Sequence, residues 1–494
     1  MFELIKVRYF FLSYSSVTIS SLLMFGILSA NAAIIKEHDF SSVHELTTDT
    51  NKFSYPDKIV VKQNQTSSIS PKKHSLSLRS LYNQPQLFSF IIDQAIRQRQ
   101  WSLVKQLLPV YRTIKEHNPY LLWYAEAGIN HLEHNYSDAF LALQNLLTVK
   151  PELDYVRLDF ARMLVEDKQF VEARTEFQRL EKSRNPQIQH IAKEAIKQLD
   201  ELFKTQWDIS AYYSRNDNVN QASDIKTLYL WGVPFTKNED SMPKSGQGIT
   251  YSLMANKLIS IKGHHYLNFE GSYSGTEYWD QKDYSESTLR LSPGYLYQKY
   301  NFSMKLSPFY EQNWLGGKNY NNHTGIDLSF MQKINDKQVI IPYFSYSYKH
   351  YNDPQLSEYE GRRYQIGITV AYQLTSAWRI FTGMDYQYDN LKSIVETSHT
   401  LAGRVGSRYQ WQNGLGVQFN LRMAERKFAA HHTFFNKIRK DYDFSGTVAI
   451  WHDKLNYKGF MPKLVYQYRN VNSNIPELYS WDSKGMRLEI SKSF

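Results

Sequence analysis

Histidines and carboxylates are the residue types in this sequence that could ligate a metal or haem or perform acid–base chemistry. Two histidine pairs occur, His264-His265 and His431-His432, and neither has a second ligand pair at a spacing typical of a metal site. The carboxylates Asp217, Asp327 and Asp385 are expected to line a polar interior rather than to form an acid–base pair. We therefore interpret the histidines as solvated loop residues and predict neither a metal nor a cofactor.

The short motifs of common enzyme classes are missing. There is no HExxH zinc motif, no GxSxG nucleophile elbow and no phosphate-binding glycine-rich loop before a helix. The 494 residues include no cysteine, which excludes thiol catalysis and argues against a lipid anchor on this chain. The net charge of +10 is spread along the chain, which favours acidic surroundings such as lipopolysaccharide and not nucleic-acid binding. We predict that the protein is not an enzyme.

The beginning of the chain predicts export from the cytoplasm. Residues 1–32 combine a basic start, an apolar run over residues 17–28 and a small-x-small cleavage site at Ala30 and Ala32. A retained anchor helix is the alternative interpretation. Residues 33–81 are rich in Ser, Thr, Asn, Gln and Lys and have few apolar residues. Such a segment cannot bury enough surface to offset its conformational entropy, so we predict a disordered periplasmic arm.

Residues 82–204 have the periodicity of helices and contain an internal repeat of 34 residues, the length of a tetratricopeptide repeat. The offset aligns four pairs of residues of matching size: Ala127 with Ala161, Ala139 with Ala173, Leu143 with Phe177, and Leu146 with Leu180. Trp123 lies four residues before Ala127, as in the repeat pattern. We predict a periplasmic TPR-like helical domain with an irregular helix pair before its two clear repeats. The alternative is a plain helical bundle with a chance match.

Arrays of this kind usually hold a protein segment on their concave face. The aromatic residues Trp123, Tyr124 and Tyr155 could serve in such a groove, although packing between the helices is the simpler expectation. The recurring small residues Ala127, Ala139, Ala161 and Ala173 are expected where two helices of a repeat approach closely. The domain is therefore predicted to bind a protein and to have no catalytic site.

From Trp207 onward the apolar residues recur with a period of two, which is typical of strands with one apolar and one polar face. Fourteen such segments follow one another. The chain also contains 37 Tyr and 27 Phe, and membrane barrels have aromatic residues at both membrane interfaces. We predict an α+β multidomain protein in which residues 205–494 form a 14-stranded antiparallel transmembrane β-barrel, with room in its lumen for a conduit.

The lengths of the predicted connections support a barrel over a soluble sandwich. They alternate between long and short, as in residues 221–246 against 260–264, and residues 425–440 against 453–458. Outer-membrane barrels have short periplasmic turns and longer extracellular loops. An even strand number places both ends of the barrel on the periplasmic side, so the helical domain is expected in the periplasm.

The last strand resembles the signal that outer-membrane barrel proteins present to the barrel-assembly machinery. Its apolar residues share one parity, and a glycine precedes them before a terminal aromatic residue. The residues that carry this resemblance are Gly485, Leu488, Ile490 and Phe494. It implies that the assembly machinery and periplasmic chaperones are partners of this chain.

The combination of signal peptide, short TPR-like array and terminal 14-stranded barrel resembles the Slam family, the surface lipoprotein assembly modulators of Gram-negative bacteria. The resemblance covers about residues 85–494. Its most pointed local feature is an Asn/Asp-rich stretch after the first strand, formed by Asn216, Asp217, Asn218 and Asn220. The resemblance implies a type XI secretion translocon in the outer membrane. Its client would be a surface lipoprotein or a soluble haemophore used in iron or haem acquisition.

Two other functions fit parts of the sequence. Exopolysaccharide exporters also join helical repeats to a barrel, but they resemble longer superhelices leading to sixteen strands. A passive porin would not need the helical array, and a TonB-type nutrient receptor would need an N-terminal plug domain that is missing from the sequence.

Overall fold

The computed structural model describes residues 83–230 and 232–493, which divide into a helical unit and a β-barrel unit. The predicted signal sequence with Ala30 and Ala32, the predicted arm over residues 33–81, and Phe494 lie outside the described residues. Among the helices of the described residues, none is both long enough and apolar enough to cross a membrane.

The helical unit contains seven helices among the described residues. They are α1 (Pro85–Arg97), α2 (Trp101–Thr113), α3 (Pro119–Leu132), α4 (Tyr136–Val149), α5 (Asp154–Glu166), α6 (Phe170–Leu180) and α7 (Pro186–Leu202). The start of α3 shows how the sequence sets these bounds. The Asn118 side chain accepts hydrogen bonds from the backbone N–H groups of Tyr120 and Leu121, and Pro119 occupies the first helical position, where no N–H is needed.

The 34-residue repeat is a repeat of buried positions. The four alanines Ala127, Ala139, Ala161 and Ala173 are fully buried, and so are the larger residues that the offset aligns: Leu143, Phe177, Leu146 and Leu180. Small side chains allow two helices to approach closely, and the larger ones fill the core. The helix pairs are α3 with α4 and α5 with α6. The irregular pair α1 and α2 packs onto α3 through a core that includes Phe88, Ile92, Val104, Tyr111 and Leu122.

The contact of Trp101 with Gly128 yields a prediction for the helical unit. A Cβ atom on Gly128 would lie 2.2 Å from Cη2 of the Trp101 ring, so α2 can pack on α3 only because position 128 has no side chain. We expect Gly128→Leu to destabilise this unit by about 1–3 kcal/mol, the usual effect of overpacking. Trypsin resistance of the helical region and thermal unfolding of the full chain measure it. Gln106→Leu, at an exposed position of α2, is the control, and equal stability of both variants would contradict the prediction.

The barrel unit contains fourteen strands that close on themselves. In order around the barrel they are β1 (Gln206–Asn216), β4 (Gly246–Lys262), β5 (His265–Tyr278), β6 (Glu286–Lys299), β7 (Phe302–Leu315), β8 (Lys318–Asn335), β9 (Gln338–Tyr351), β10 (Gly361–Thr375), β11 (Trp378–Leu391), β12 (Ser398–Gln410), β13 (Leu415–His431), β14 (Ile438–His452), β15 (Met461–Ser473) and β16 (Trp481–Ser493). Strands β2 (Thr227–Leu230) and β3 (Val233–Thr236) form a separate hairpin between β1 and β4, and a short helix, α8 (Pro476–Tyr479), precedes β16.

The two faces of the barrel wall differ in the way that the period of two predicts. Outward positions carry exposed apolar side chains that together form an apolar belt, including Ile209, Leu253, Phe269, Ile368, Met384, Val405, Ile450 and Leu488. Inward positions carry buried polar and charged side chains. Closure pairs every strand of the barrel with two neighbours, although β1 and β16 pair over only part of their length. Because an apolar exterior matches lipid, this unit spans a membrane. The predicted fold class, a TPR-like helical domain followed by a 14-stranded antiparallel barrel, is confirmed.

The connections mostly alternate in length, and we name the two ends of the barrel after them. The short-turn rim has two-residue connections at 263–264, 300–301, 336–337 and 376–377, and the long-loop rim has longer ones such as 217–245 and 352–360. Two connections break the pattern. Gly316 and Gly317 make a tight turn at the long-loop rim, with positive φ values of 56° and 74° that glycine adopts without strain, and residues 453–460 form a longer loop at the short-turn rim.

The prediction of a long loop between β13 and β14 is mostly wrong. Residues 425–440 were expected to form a loop, but β13 continues to His431 and β14 begins at Ile438. The reason is that the outward face becomes charged there, at Glu425 and Lys427, while the inward residues Arg426 and Phe428 stay buried. The strands therefore extend beyond the apolar belt, where the apolar period that marked them in the sequence has ended.

Candidate functional site

Arginines in the barrel interior pair with carboxylates, and several of these pairs join neighbouring strands. Arg290 on β6 donates through Nη1 to Glu311 Oε2 at 3.0 Å and through Nη2 to Asp327 Oδ2 at 2.7 Å. Its guanidinium lies 3.6 Å from the centre of the Phe309 ring. Asp327 also accepts a hydrogen bond from Ser345 at 2.7 Å. One arginine thus links β6, β7 and β8, and through Asp327 the network reaches β9.

Two further networks repeat this arrangement around the wall. Arg404 donates to Asp385 Oδ1 at 2.8 Å, and the same oxygen accepts from the Tyr343 hydroxyl at 2.8 Å. Arg363 donates to Asp389 at 2.6 Å. The charged members of both networks are buried. Because a buried charge is tolerated only when it is paired and hydrogen-bonded, these pairs hold the wall in one arrangement.

The fourth network lies closest in sequence to the closing strand. Asp443 on β14 accepts from Arg469 at 2.7 Å and from Arg422 at 3.1 Å, so one carboxylate lies between two guanidinium groups. The interior thus has many charges that largely neutralise one another. Such a lining is wet and polar without presenting a strong site for a small ion. In the described part of the chain, no three His, Asp or Glu side chains lie close enough together to share a metal ion.

The loops of the long-loop rim are packed against one another by buried side chains. We call the following residues the rim cluster: Leu356, Tyr359, Glu396, His432, Arg439 and Tyr479. The Arg439 guanidinium lies 3.4 Å from the centre of the Tyr479 ring, and His432 Nε2 is 3.1 Å from the Tyr479 hydroxyl. Glu396 is near enough to act electrostatically on both Tyr359 and Tyr479. The cluster therefore joins four separate loops at the long-loop rim, the end of the barrel opposite the start of β1.

His432 within this cluster is not a solvated loop residue, contrary to the expectation from the sequence. Burial, and then the nearby Arg439 charge, lower its pKa to about 4. It is therefore neutral at neutral pH and acts as a hydrogen-bonding partner of Tyr479. Its neighbour His431 is exposed, as expected.

The first helix of each pair contributes to a second candidate site, a cluster of aromatic and charged residues that we call the helical groove. Tyr124 on α3 donates to Asp159 on α5 at 2.6 Å, and its ring centre lies 5.8 Å from that of Tyr155. Asp93 and Arg97 on α1 are paired at 2.7 Å and act electrostatically on Tyr155. Burial raises the pKa of both tyrosines, so their hydroxyls remain neutral hydrogen-bond donors. The cluster thus presents an exposed aromatic ring beside charged groups.

The predicted groove residues do not behave alike. Trp123 is half-buried, with its ring centre 6.1 Å from that of Tyr120, and Tyr124 is half-buried as well. Tyr155 was expected to pack between helices, but 53% of it is exposed. The correction follows from its position at the start of α5, where its ring turns toward Tyr124 and the α1 charges instead of toward the core.

His131 joins the ends of α3 and α5 and yields a pH prediction. Burial opposes its charge, but the hydrogen bond to Glu166 at 2.5 Å and the charge of Glu166 outweigh burial and raise the His131 pKa. A raised pKa stabilises the fold fully below about pH 6.5, the usual histidine value, and the stabilisation is lost as the pH rises through the raised value. We expect the protease resistance of the helical region to fall over that range. His131→Gln should remove this dependence, and an unchanged profile in the variant would refute the assignment.

The predicted motif after the first strand anchors the first long loop. Asn218 exchanges two hydrogen bonds with the Ala222 backbone, both at 2.9 Å. Asn220 does the same with the opposite arm of the loop, donating to Met242 O and accepting from Lys244 N, both at 2.8 Å. Asn216 and Asp217 instead face β16: Asn216 Oδ1 accepts from the Ser483 hydroxyl at 2.9 Å. The motif thus holds the two arms of the loop together and connects its start to β16.

The residues of the predicted assembly signal lie on the closing strand β16. Leu488 and Ile490 point outward and are exposed in the apolar belt, whereas Gly485 has inward parity. An added Cβ on Gly485 would lie 3.3 Å from the Arg215 carbonyl oxygen on β1. Their role in assembly remains a prediction.

Sequence reasoning found Asp327 and Asp385 as interior residues but missed the arginines that pair with them. A usable signal was present in the register. The two-residue turn at 300–301 sets Lys299 opposite Phe302, and counting back from it places Arg290 opposite Glu311. Asp217, the third predicted interior carboxylate, lies in the loop beyond β1 instead.

Comparisons with known protein families cover nearly all of the described chain. Residues 206–494 match the family described as surface lipoprotein assembly modifier, and residues 74–177 match that family's N-terminal TPR repeats. The chain is 26% identical over 440 residues to Surface lipoprotein assembly modifier 1 of Haemophilus influenzae, covering 86% of this chain and 88% of the relative. It is 23% identical over 423 residues to the Hemophilin secretion modulator of Acinetobacter baumannii, covering 81% and 84%.

Among solved structures, the chain is distantly similar to the toluene transporter TodX of Pseudomonas putida. The identity is 11%, the TM-score is 0.34, and the match covers 59% of this chain and 90% of the transporter.

Proposed function

Because the chain belongs to the surface lipoprotein assembly modifier family, we propose that it is an outer-membrane translocon for proteins. It moves specific periplasmic client proteins to the cell surface or into the medium. The clients are surface lipoproteins or soluble haemophore-like proteins that serve iron or haem acquisition. The helical domain lies in the periplasm and assists in handling the client.

One observation carries this proposal: a TPR-like helical array is followed directly by a charge-lined membrane barrel in the same chain. Helix α7 ends at Leu202 and β1 begins at Gln206, so only three residues separate the two. A conduit for small solutes has no need of an attached repeat array, whereas a conduit for proteins benefits from a site that collects its cargo beside the entrance.

The barrel lining supports passage of polypeptide. Several of its arginines are already paired with carboxylates, as with Arg290 and its two acidic partners. A polar segment of either charge therefore meets a hydrated wall that neither repels it nor retains it by one strong ion pair. The rim cluster must rearrange for a large client to leave, because its side chains join the loops on the outer side.

The helical groove supports the first step, in which the client is held. The exposed Tyr155 ring offers apolar contact area to an extended segment, and the charged groups beside it offer polar contacts.

The proposal includes the partners that any such barrel needs. The barrel-assembly machinery would insert it by way of β16, periplasmic chaperones would deliver it, and lipopolysaccharide would surround its long-loop rim. The net charge of +10 is compatible with acidic headgroups there. No nucleic acid is involved.

Co-expression with a candidate surface lipoprotein in a Gram-negative host without a related protein tests the proposal. Intact cells are treated with protease, and degradation of the lipoprotein is compared with and without this chain. We expect the lipoprotein to become accessible to protease only when the chain is present, while a periplasmic marker stays protected. Equal protection of the lipoprotein in both strains would refute the proposal.

A further inference from the structure

The pairing between the first and last barrel strands is shorter than the strands themselves. The register of β1 with β16 runs through five residue pairs, from Asp208↔Ser493 to Tyr212↔Glu489. On their other sides the same strands are paired over eleven residues each, β1 with β4 and β16 with β15. Residues 213–216 of β1 and 481–488 of β16 therefore lie beyond the end of this ladder. We call this stretch the open seam.

The part of the open seam nearer the ladder lies in the apolar belt, whereas the outward positions toward the long-loop rim carry Arg215, Asp482 and Lys484. Tyr213, Met486 and Leu488 point outward from it and are 47%, 66% and 57% exposed. Lipid therefore meets the wall at this place, and lipid cannot satisfy a backbone N–H or C=O group. A strand edge in such surroundings strongly favours pairing with another strand.

Side chains bridge the open seam at its end near the long-loop rim. Asn216 Oδ1 accepts from the Ser483 hydroxyl at 2.9 Å, Asp217 Oδ1 accepts from Lys484 N at 3.4 Å, and Asn218 Nδ2 donates to the Asp482 carbonyl at 3.4 Å. Two of these three bonds are long, and bonds of that length are weak. The seam can therefore part here by releasing side-chain contacts, without breaking a backbone ladder.

The inner face of the open seam is polar. Ser214, Asn216, Ser483 and Arg487 have inward parity, and the Arg487 guanidinium lies 4.6 Å from the centre of the Tyr212 ring across the seam. The two backbones lie close together at Gly485, where an added Cβ would be 3.3 Å from the Arg215 carbonyl oxygen, so a third strand can enter only after the seam parts. A strand that entered here would place alternate residues toward lipid and toward this polar lining.

We propose that the open seam binds an extended, amphipathic β-strand of the client, which pairs through its backbone with the free edges of β1 and β16. This inference rests on the proposed function and specifies how the translocon recognises part of its cargo. Recognition through the backbone explains how clients of different sequence can use one conduit, since pairing requires only alternation of apolar and polar side chains.

Photocrosslinking at matched methionines tests the site. Met486 lies in the open seam, and Met384 is an outward methionine of similar exposure on β11, which is fully paired with β10 and β12. Each is replaced by p-benzoylphenylalanine in the full chain, expressed with a lipoprotein that the unaltered chain exports. We expect the lipoprotein to be captured at position 486 and not at position 384. Capture at both positions, or at neither while export continues, would overturn the inference.

A disulfide across the seam provides an independent test, which is clean because the chain has no cysteine of its own. Asn216→Cys with Ser483→Cys is oxidised in cells to lock the seam, and Tyr386→Cys with Leu401→Cys locks a cross-strand pair on β11 and β12. We expect oxidation to stop export by the seam variant and subsequent reduction to restart it. Export by the control variant should be the same before and after oxidation. Continued export through the oxidised seam would overturn the inference.

These outcomes separate the two proposals. If the unaltered chain fails to expose the lipoprotein, the proposed function is wrong. If the unaltered chain exposes it and the locked seam does so equally well, only the seam inference is wrong.

Discussion

Replacing Leu488 and Ile490 together with aspartate is expected to abolish assembly of the barrel. Both side chains point outward into the apolar belt, and Ile490 lies in the short ladder that closes the barrel, opposite Ala211. A cationic side chain facing lipid at the membrane centre costs roughly 2–4 kcal/mol, and an acidic one somewhat less. Two such costs fall on the strand whose pairing with β1 covers five residue pairs. Migration on a gel with and without heating distinguishes the folded barrel from the unfolded chain.

The control for this experiment is Ser491→Asp on the same strand. Ser491 has inward parity, so its carboxylate would face the polar interior, and the barrel is expected to fold. Deletion of Phe494, which lies outside the described residues, is expected to act like the double aspartate variant by removing the end of the assembly signal. Heat-modifiable migration of the double variant at the normal level would contradict both the orientation of β16 and its role in closure.

Removal of residues 82–204 is expected to leave a folded barrel that no longer exports its client. The barrel closes through its own fourteen strands and carries its own buried ion pairs. The helical unit has a separate core around Phe88, Ile92 and Tyr111. Assembly and export are therefore expected to separate in this variant. Heat-modifiable migration measures the first, and protease accessibility of the co-expressed client measures the second.

A milder variant tests the same role without a large deletion. Tyr124→Phe with Tyr155→Ala removes the Tyr124 hydroxyl that bonds Asp159 and the exposed ring beside it, while the fully buried alanines stay in place. Client exposure should fall although the helical region keeps its protease resistance.

For the deletion of residues 82–204, undiminished export would show that the helical domain is dispensable.

The strands and the repeats could be predicted because their signals are local. Each membrane-facing strand exposes apolar residues at every second position, and each repeat buries alanine at a fixed spacing, as at Ala127 and Ala161. Both patterns follow from burial against a neighbour or exposure to lipid, and both are therefore readable in one dimension. All fourteen barrel strands were predicted on this basis.

The features that could not be predicted depend on register or lie beyond the apolar belt. The pairing of Arg363 with Asp389 requires knowledge of the irregularity between Gln373 and Thr375, which shifts β10 against β11 by one residue. The extension of β13 to His431 escaped notice because its outward residues there are charged. The rim cluster depends on four loops that meet only in the folded barrel.

The Asn/Asp-rich motif illustrates the same limit at the candidate site. The sequence located Asn216, Asp217, Asn218 and Asn220 through a family resemblance, without any indication of what they contact. The β16 partners of Asn216 and Asp217 are 267 residues away in the sequence. The partners of Asn218 and Asn220 within the loop are 24 or fewer residues away. Only closure of the barrel brings Ser483 and Lys484 to them.

The central claim, that a client protein passes through this barrel, is tested most directly with purified components. The full chain is reconstituted into liposomes that contain no other protein. A purified client is added outside the liposomes, and protease is added after a fixed interval. We predict that a fraction of the client becomes protected inside the vesicles, in proportion to the barrels whose short-turn rim faces outward. Protection no greater than in liposomes without the chain would contradict the claim.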